Sequence, residues 1–212
     1  MNTRLLLVPA FVLATSLLPA QHAGHHAEPD APAASSGGHA NHKELAGDGF
    51  SAGSLYQLEA SYTGDDGKPV TLGQFKGRPV VLAMFFATCT YACPMIVADM
   101  ARIRDGLPES LRANAALVLV SFDVKRDTPE VLARYRKDRG LNQQWTLLRG
   151  DDGAVRELAA LLGVKFKQEA DGQFAHSNII SILNAQGEVI HQRAGLKGGL
   201  EDATVALARA SR

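Results

Sequence analysis

Net charge is the first thing this sequence lacks. Lys+Arg and Asp+Glu both total 22, so the formal net charge is zero. Nothing here argues for nucleic acid, which a basic balance would favour. Cysteine is scarce: the 212 residues hold two, Cys89 and Cys93, four positions apart. No proline follows Pro129, and there is no internal repeat. Residues 21–50 almost lack large apolar side chains and are rich in Ala, Gly, His, Pro and Ser. Such a segment buries too little surface to offset its ordering entropy, and it reads as a disordered linker. A core is not lacking. The hydrophobic fraction is 46%, enough for one domain of ordinary size with extras.

The first residues read as an export signal. Arg4 is the positive charge, and the run Leu5 to Leu18 is apolar but interrupted by Pro9, Thr15 and Ser16. It is short for a bilayer span. A signal peptide over residues 1–20 is expected, with an uncleaved membrane anchor as the alternative. Ala20 and Ala23 are candidate cleavage positions, but Leu18 and Gln21 before them are not small. Export implies the periplasm or the outer face of the inner membrane, where a disulfide is allowed. The linker carries His22, His25, His26, His39 and His42. They are either a loose metal-collecting tail or incidental to a solvated tether, since they have no fixed ligand spacing.

From Ser51 to the end, residues 51–212, the chain reads as one folded domain. Leu55 to Leu72 reads as a hairpin turning at Gly64–Gly67. Arg78 to Phe86 is a continuous apolar run, as is Ala116 to Asp123, and both read as strands buried on both faces. Pro94 opens a helix with Ile96, Met100, Ile103 and Leu107 on one stripe. Thr128 and Pro129 read as N-cap and first-turn proline of a helix through Tyr135. Trp145 begins a third strand. Asp151 or Asp152 caps a helix that Gly163 ends. A polar loop follows, then a hairpin turning at Ala185–Gly187, then a helix over Leu200–Arg209. The order βαβαβα then ββα predicts an α/β fold with a central mixed sheet flanked by helices and an N-terminal β-hairpin. With a cysteine motif between the first buried strand and its helix, this is the thioredoxin-like order.

The stretch ATCTYACPM, Ala87 to Met95, holds both cysteines. Cys93, placed by the sequence at a helix N-cap, would have its thiolate favoured by the helix dipole. The pair lies after the carboxyl end of a strand, the edge where α/β folds usually hold their sites. Three intervening residues are one more than in Cys-X-X-Cys exchangers. The loop can close a disulfide or aim two sulfurs at one metal ion.

Three blocks carry a resemblance: FFATCTYACPMI, SFDVKRDTPEVLARY and FAHSNIISILNAQGEVI. From about Tyr56 to Gly195 the chain resembles the Sco/SenC family, thioredoxin-fold copper proteins that help assemble the binuclear copper site of cytochrome c oxidase. The resemblance implies that Cys89, Cys93 and His176 bind copper, as Cu(I), Cu(II) or both. Two thiolates and an imidazole suit soft Cu(I), and would also hold Zn(II) with an open fourth position. Asp123, by the same resemblance, is a supporting or partner-docking group; the alternative is a strand-end carboxylate in water. Asp127 reads as part of the turn into the next helix. Met84 and Met100 read as core, Met95 is open, and His191 reads as a surface residue. Thr90 and Val124 stand where family members commonly have proline.

Delivery of copper to the copper-bearing subunit of cytochrome c oxidase, or to another copper-accepting protein, is therefore the expected function, a metallochaperone rather than an enzyme. The rival is a thiol–disulfide oxidoreductase that keeps a copper-accepting partner's cysteines reduced. General exchangers place a cis-proline beside the active cysteines, and here His176 lies where that proline would fall. A peroxidase reading fails at Phe86, where its motif needs proline. A purely structural Cys89–Cys93 disulfide leaves His176 and the blocks unexplained.

Overall fold

The computed structural model describes residues 50–211; the leader and the linker up to Gly49, with its five histidines, lie outside the described residues. In chain order, β1 (Tyr62–Gly64) and β2 (Pro69–Val70) form the N-terminal hairpin. It is shorter than the sequence suggests, because Leu55–Gln57 coil into a 3-10 turn capped by Ser54. β3 (Val80–Phe85) is followed by α1 (Ala92–Asp105), a single turn α2 (Glu109–Arg112) and β4 (Ala116–Ser121). α3 (Pro129–Asp138), β5 (Trp145–Arg149) and α4 (Asp152–Leu161) come next. Then come β6 (Phe166–Gln168), β7 (Phe174–His176), β8 (Ile179–Leu183), β9 (Val189–Ala194) and α5 (Leu200–Ala210).

The main sheet has the order β2-β1-β5-β4-β3-β8-β9. β3, β4 and β5 are parallel, and β8, β9 and β1 run against their neighbours. β3 and β4 are buried along their whole length, which is what the unbroken apolar runs require of strands covered on both faces. The caps are those expected. Thr128 Oγ1 accepts from the Val131 N–H at 3.4 Å and Asp151 Oδ1 from the Ala154 N–H at 2.8 Å. Met84 and Met100 are core residues.

Two expectations are corrected. α1 begins at Ala92, with Tyr91 in the capping position, so Cys93 lies inside the first turn rather than at the cap. Proline is tolerated throughout the first turn, where its missing N–H has no intrahelical partner to lose, so Pro94 does not mark the start. The polar loop after Gly163 is in fact the β6–β7 hairpin, a two-stranded sheet of its own.

α1 is tied to β9 by a buried ion pair. Asp99 Oδ2 lies 2.9 Å from Arg193 Nη1, with the two residues 5% and 4% exposed. The Nη1 contact is an ion pair rather than a directed hydrogen bond; Arg193 Nε donates to the Gly198 carbonyl at 2.7 Å. Among the described residues, no helix is long and apolar enough to cross a membrane.

Candidate metal centre

Three chain segments meet at the carboxyl edge of the sheet. Cys89 sits in the turn leaving β3, where its N–H donates to the Phe86 carbonyl at 3.2 Å. Cys93 is in the first turn of α1, and its backbone N–H donates to Cys89 Sγ at 3.4 Å. His176 closes β7. The ligand atoms of Cys89, Cys93 and His176 all lie within 4.8 Å of one another. Both cysteines are free thiols.

The site is graded in depth. Cys93 is 0% exposed, Cys89 is 9% exposed and His176 is half-buried. Tyr91, between the cysteines, is 72% exposed and marks the open side. Phe86 and Phe122 wall the imidazole at centroid distances of 5.8 and 5.1 Å. His176 Nδ1 lies 3.1 Å from the Ser177 carbonyl. A carbonyl only accepts, so Nδ1 carries the proton in this contact and Nε2 keeps the free lone pair. Two soft sulfurs and one imidazole make a three-donor set for a soft monovalent or borderline divalent metal.

Cys93 departs from expectation. Burial pushes its thiol far up, against the lowering effect of a hydrogen bond with the Phe86 backbone. The helix N-terminus does not prevail because the side chain is enclosed, and desolvation penalises the charged form. Metal binding at Cys93 therefore displaces a proton.

Asp123 is not at the ligand atoms. It is 2% exposed, not solvated, and its carboxylate pairs with Arg126. Asp127 is the aspartate that reaches the cysteine turn. It is 0% exposed, and its Oδ2 accepts from the Ala87 N–H at 2.9 Å and the Ser121 hydroxyl at 2.5 Å. Its Oδ1 is buried without a partner. The sequence offered one signal for this: an aspartate directly ahead of the Thr128 cap, where a helix entrance already had its capping group. His191, read as a surface residue, is half-buried with Nε2 shut from water and unpartnered. Met95 is half-buried on α1.

Burial raises the Asp127 carboxyl above its ordinary value of 3.8, opposed by its bonds from Ser121 and Ala87. The folded chain then keeps a proton that the unfolded chain releases. That favours folding below the unfolded value and is lost as the pH rises through the folded one. Asp127→Asn cannot titrate. Its thermal midpoint is expected to gain on the wild type as pH rises from about 4 towards neutral. A difference constant over that range would show that the carboxyl is ionised throughout.

Comparison with known proteins agrees with this arrangement. A Stutzerimonas stutzeri protein, provisionally named copper-binding, is 30% identical over 135 residues, which are 61% of this chain and 65% of that protein. The chain thus spans somewhat less than two thirds of that relative's length. A solved SCO1/SenC family lipoprotein of Bacillus anthracis superposes with a TM-score of 0.64 at 22% identity, covering 72% of this chain and 92% of that one. The copper-bound ScoI of Arabidopsis thaliana gives 0.63 at 21% identity, covering 71% and 94%. These two establish the thioredoxin-like fold. The SCO1/SenC family profile matches residues 52–209, from just after the linker to the last helix. With that match taking in both cysteines and His176, the chain belongs to the SCO1/SenC family.

Proposed function

We propose that this chain is an exported copper carrier. It holds one copper ion through Cys89, Cys93 and His176 and passes it to the copper-bearing subunit of cytochrome c oxidase or to another copper-accepting protein. The convergence of two sulfurs and one imidazole within 4.8 Å carries the reading, because soft donors select Cu(I). Family membership supports the acceptor, and the apolar leader at Leu5 to Leu18 supports a place outside the cytoplasm, released or tethered. Transfer runs by ligand exchange, thiolate for thiolate, once a partner docks at the open side. Exchange with an external disulfide, which would take up the two electrons and two protons as a pair of thiols, would join Cys89 to Cys93 as a disulfide and remove both sulfurs, so that binding is redox-gated.

The test is a Cu(I) competition titration of the fully reduced chain against a coloured chelator. The chelator must be tight enough to leave isolated histidines empty. One equivalent is expected, with affinity reduced in His176→Ala. The nearness of the two sulfurs, within 4.8 Å, favours one second reading, reduction of a partner's cysteines. Absence of tight Cu(I) binding would move the assignment there, and reduction-potential and disulfide-exchange measurements would follow.

A further inference from the structure

His176 stands on a piece of structure that the main sheet does not hold. β6 and β7 pair with each other, Phe166 opposite His176 and Gln168 opposite Phe174, and belong to no other sheet. The main sheet reaches no nearer than Asn178, whose carbonyl accepts from the Gly195 N–H at 2.8 Å, so contacts between the hairpin and the rest of the domain help set where the imidazole sits. One set is aromatic: Phe166 stacks on Phe122 at 5.1 Å, and Phe174 lies 5.1 Å from Phe122 and 5.2 Å from Phe86. Such contacts are weakly directional and tolerate sliding.

The other contact is directional. Arg126 Nη2 donates to the Gly172 carbonyl at the tip of the hairpin, while Nε donates to Asp123 Oδ2. The Arg126 backbone N–H donates to Asp123 Oδ1 at 3.2 Å, and the guanidinium lies 5.8 Å from the Phe174 ring. Gly172 has φ +80, and a Cβ there would stand 3.2 Å from Arg126 Nη1. Glycine thus supplies both the left-handed turn and the room for the guanidinium. A planar fork serves two acceptors at once, which a single ammonium on a flexible stem does not.

The same loop braces the cysteines. Ser121 Oγ accepts from the Asp123 N–H at 3.0 Å and donates to Asp127, which holds the Ala87 N–H. Residues 121–127 therefore grip the cysteine turn through Asp127 and the histidine hairpin through Arg126.

We propose that Arg126, anchored by buried Asp123, is a positioning residue that latches the β6–β7 hairpin and holds the His176 imidazole against the two sulfurs. This rests on the copper reading above. It assigns Asp123 a role through Arg126 rather than at the metal.

The test is a cycle of Arg126→Ala, His176→Ala and the double variant in the full reduced chain, read by Cu(I) competition. Loss of a supporting group costs metal affinity roughly 10–100-fold, and R126A is expected to fall in that range. In the H176A background the same change is expected to cost nothing further, because the latch acts only through the imidazole. Nitrogen couplings in the electron paramagnetic resonance of the Cu(II) form are expected to weaken in R126A. In the metal-free protein, amide exchange across residues 166–176 is expected to quicken while that of β3 and β4 does not. Equal affinity of R126A and wild type overturns the latch, as does a full additional loss in the double variant, which marks general destabilisation. An H176A protein that binds like the wild type overturns the ligand assignment and the latch with it; an inert R126A beside a weakened H176A overturns the latch alone.

Discussion

Serine in place of Cys89 or Cys93 is expected to abolish tight Cu(I) binding while leaving the fold intact. Each change swaps a soft sulfur for a hard oxygen within a three-donor set. The loss should exceed the roughly 10–100-fold typical of a supporting group. The two variants should differ in their side effects. Cys89 is the less enclosed of the two, and its Sγ accepts the Cys93 N–H; a serine hydroxyl can take that bond. Cys93 is fully enclosed, so its replacement also buries a hydroxyl, worth about 1–3 kcal/mol if it finds no partner. Titration against a chelator and a urea melt of the metal-free protein separate these effects. Wild-type affinity in either variant would remove that cysteine from the ligand set.

The largest effect on stability is expected at Asp99. Its carboxylate lies 2.9 Å from the buried Arg193 guanidinium, and its other oxygen lies 3.2 Å from Arg102. Truncation to alanine leaves the Arg193 charge enclosed without its counter-ion. Breaking such a pair costs about 3–5 kcal/mol, equivalent to a fall on the order of 10 °C in melting temperature for a domain of this size. Replacing both partners with apolar residues of similar volume is expected to recover most of the loss, because desolvation of the two charges vanishes with them. A D99A midpoint within 1 °C of the wild type would show that water reaches Arg193.

Much of this architecture was legible in advance because its signals are local. The apolar runs at Val80–Phe85 and Ala116–Ser121 cannot be exposed, so they had to be central strands. Thr128–Pro129 and Asp151 announce helix starts by capping chemistry. The turn at Ala185–Gly187 sits between two strand-like stretches, and Gly187 takes the positive φ that suits a glycine in a turn. The three side chains that meet at the candidate centre, Cys89, Cys93 and His176, were each singled out by their blocks. What stayed hidden depends on contacts distant in sequence. Asp127 is buried by the Ala87 N–H, which lies 40 residues earlier. The β6–β7 hairpin has three-residue strands, too short for alternation to stand out among Lys167, Gln168, Glu169 and Asp171. Its Phe166, Phe174 and His176 make sense only once Phe122 is brought beneath them. The thiolate expected at Cys93 failed for the same reason, since a helix terminus is visible in sequence and the enclosure of its side chain is not.

The unequal burial of the three donors gives the centre a front and a back. Cys93 faces only protein, while Cys89 and His176 lie nearer the solvent beside the exposed Tyr91. A competing donor from outside meets the imidazole and the outer sulfur before it meets the inner one. On the proposed copper reading, Cys93 would be the ligand a departing ion gives up last, so handover would be ordered in space.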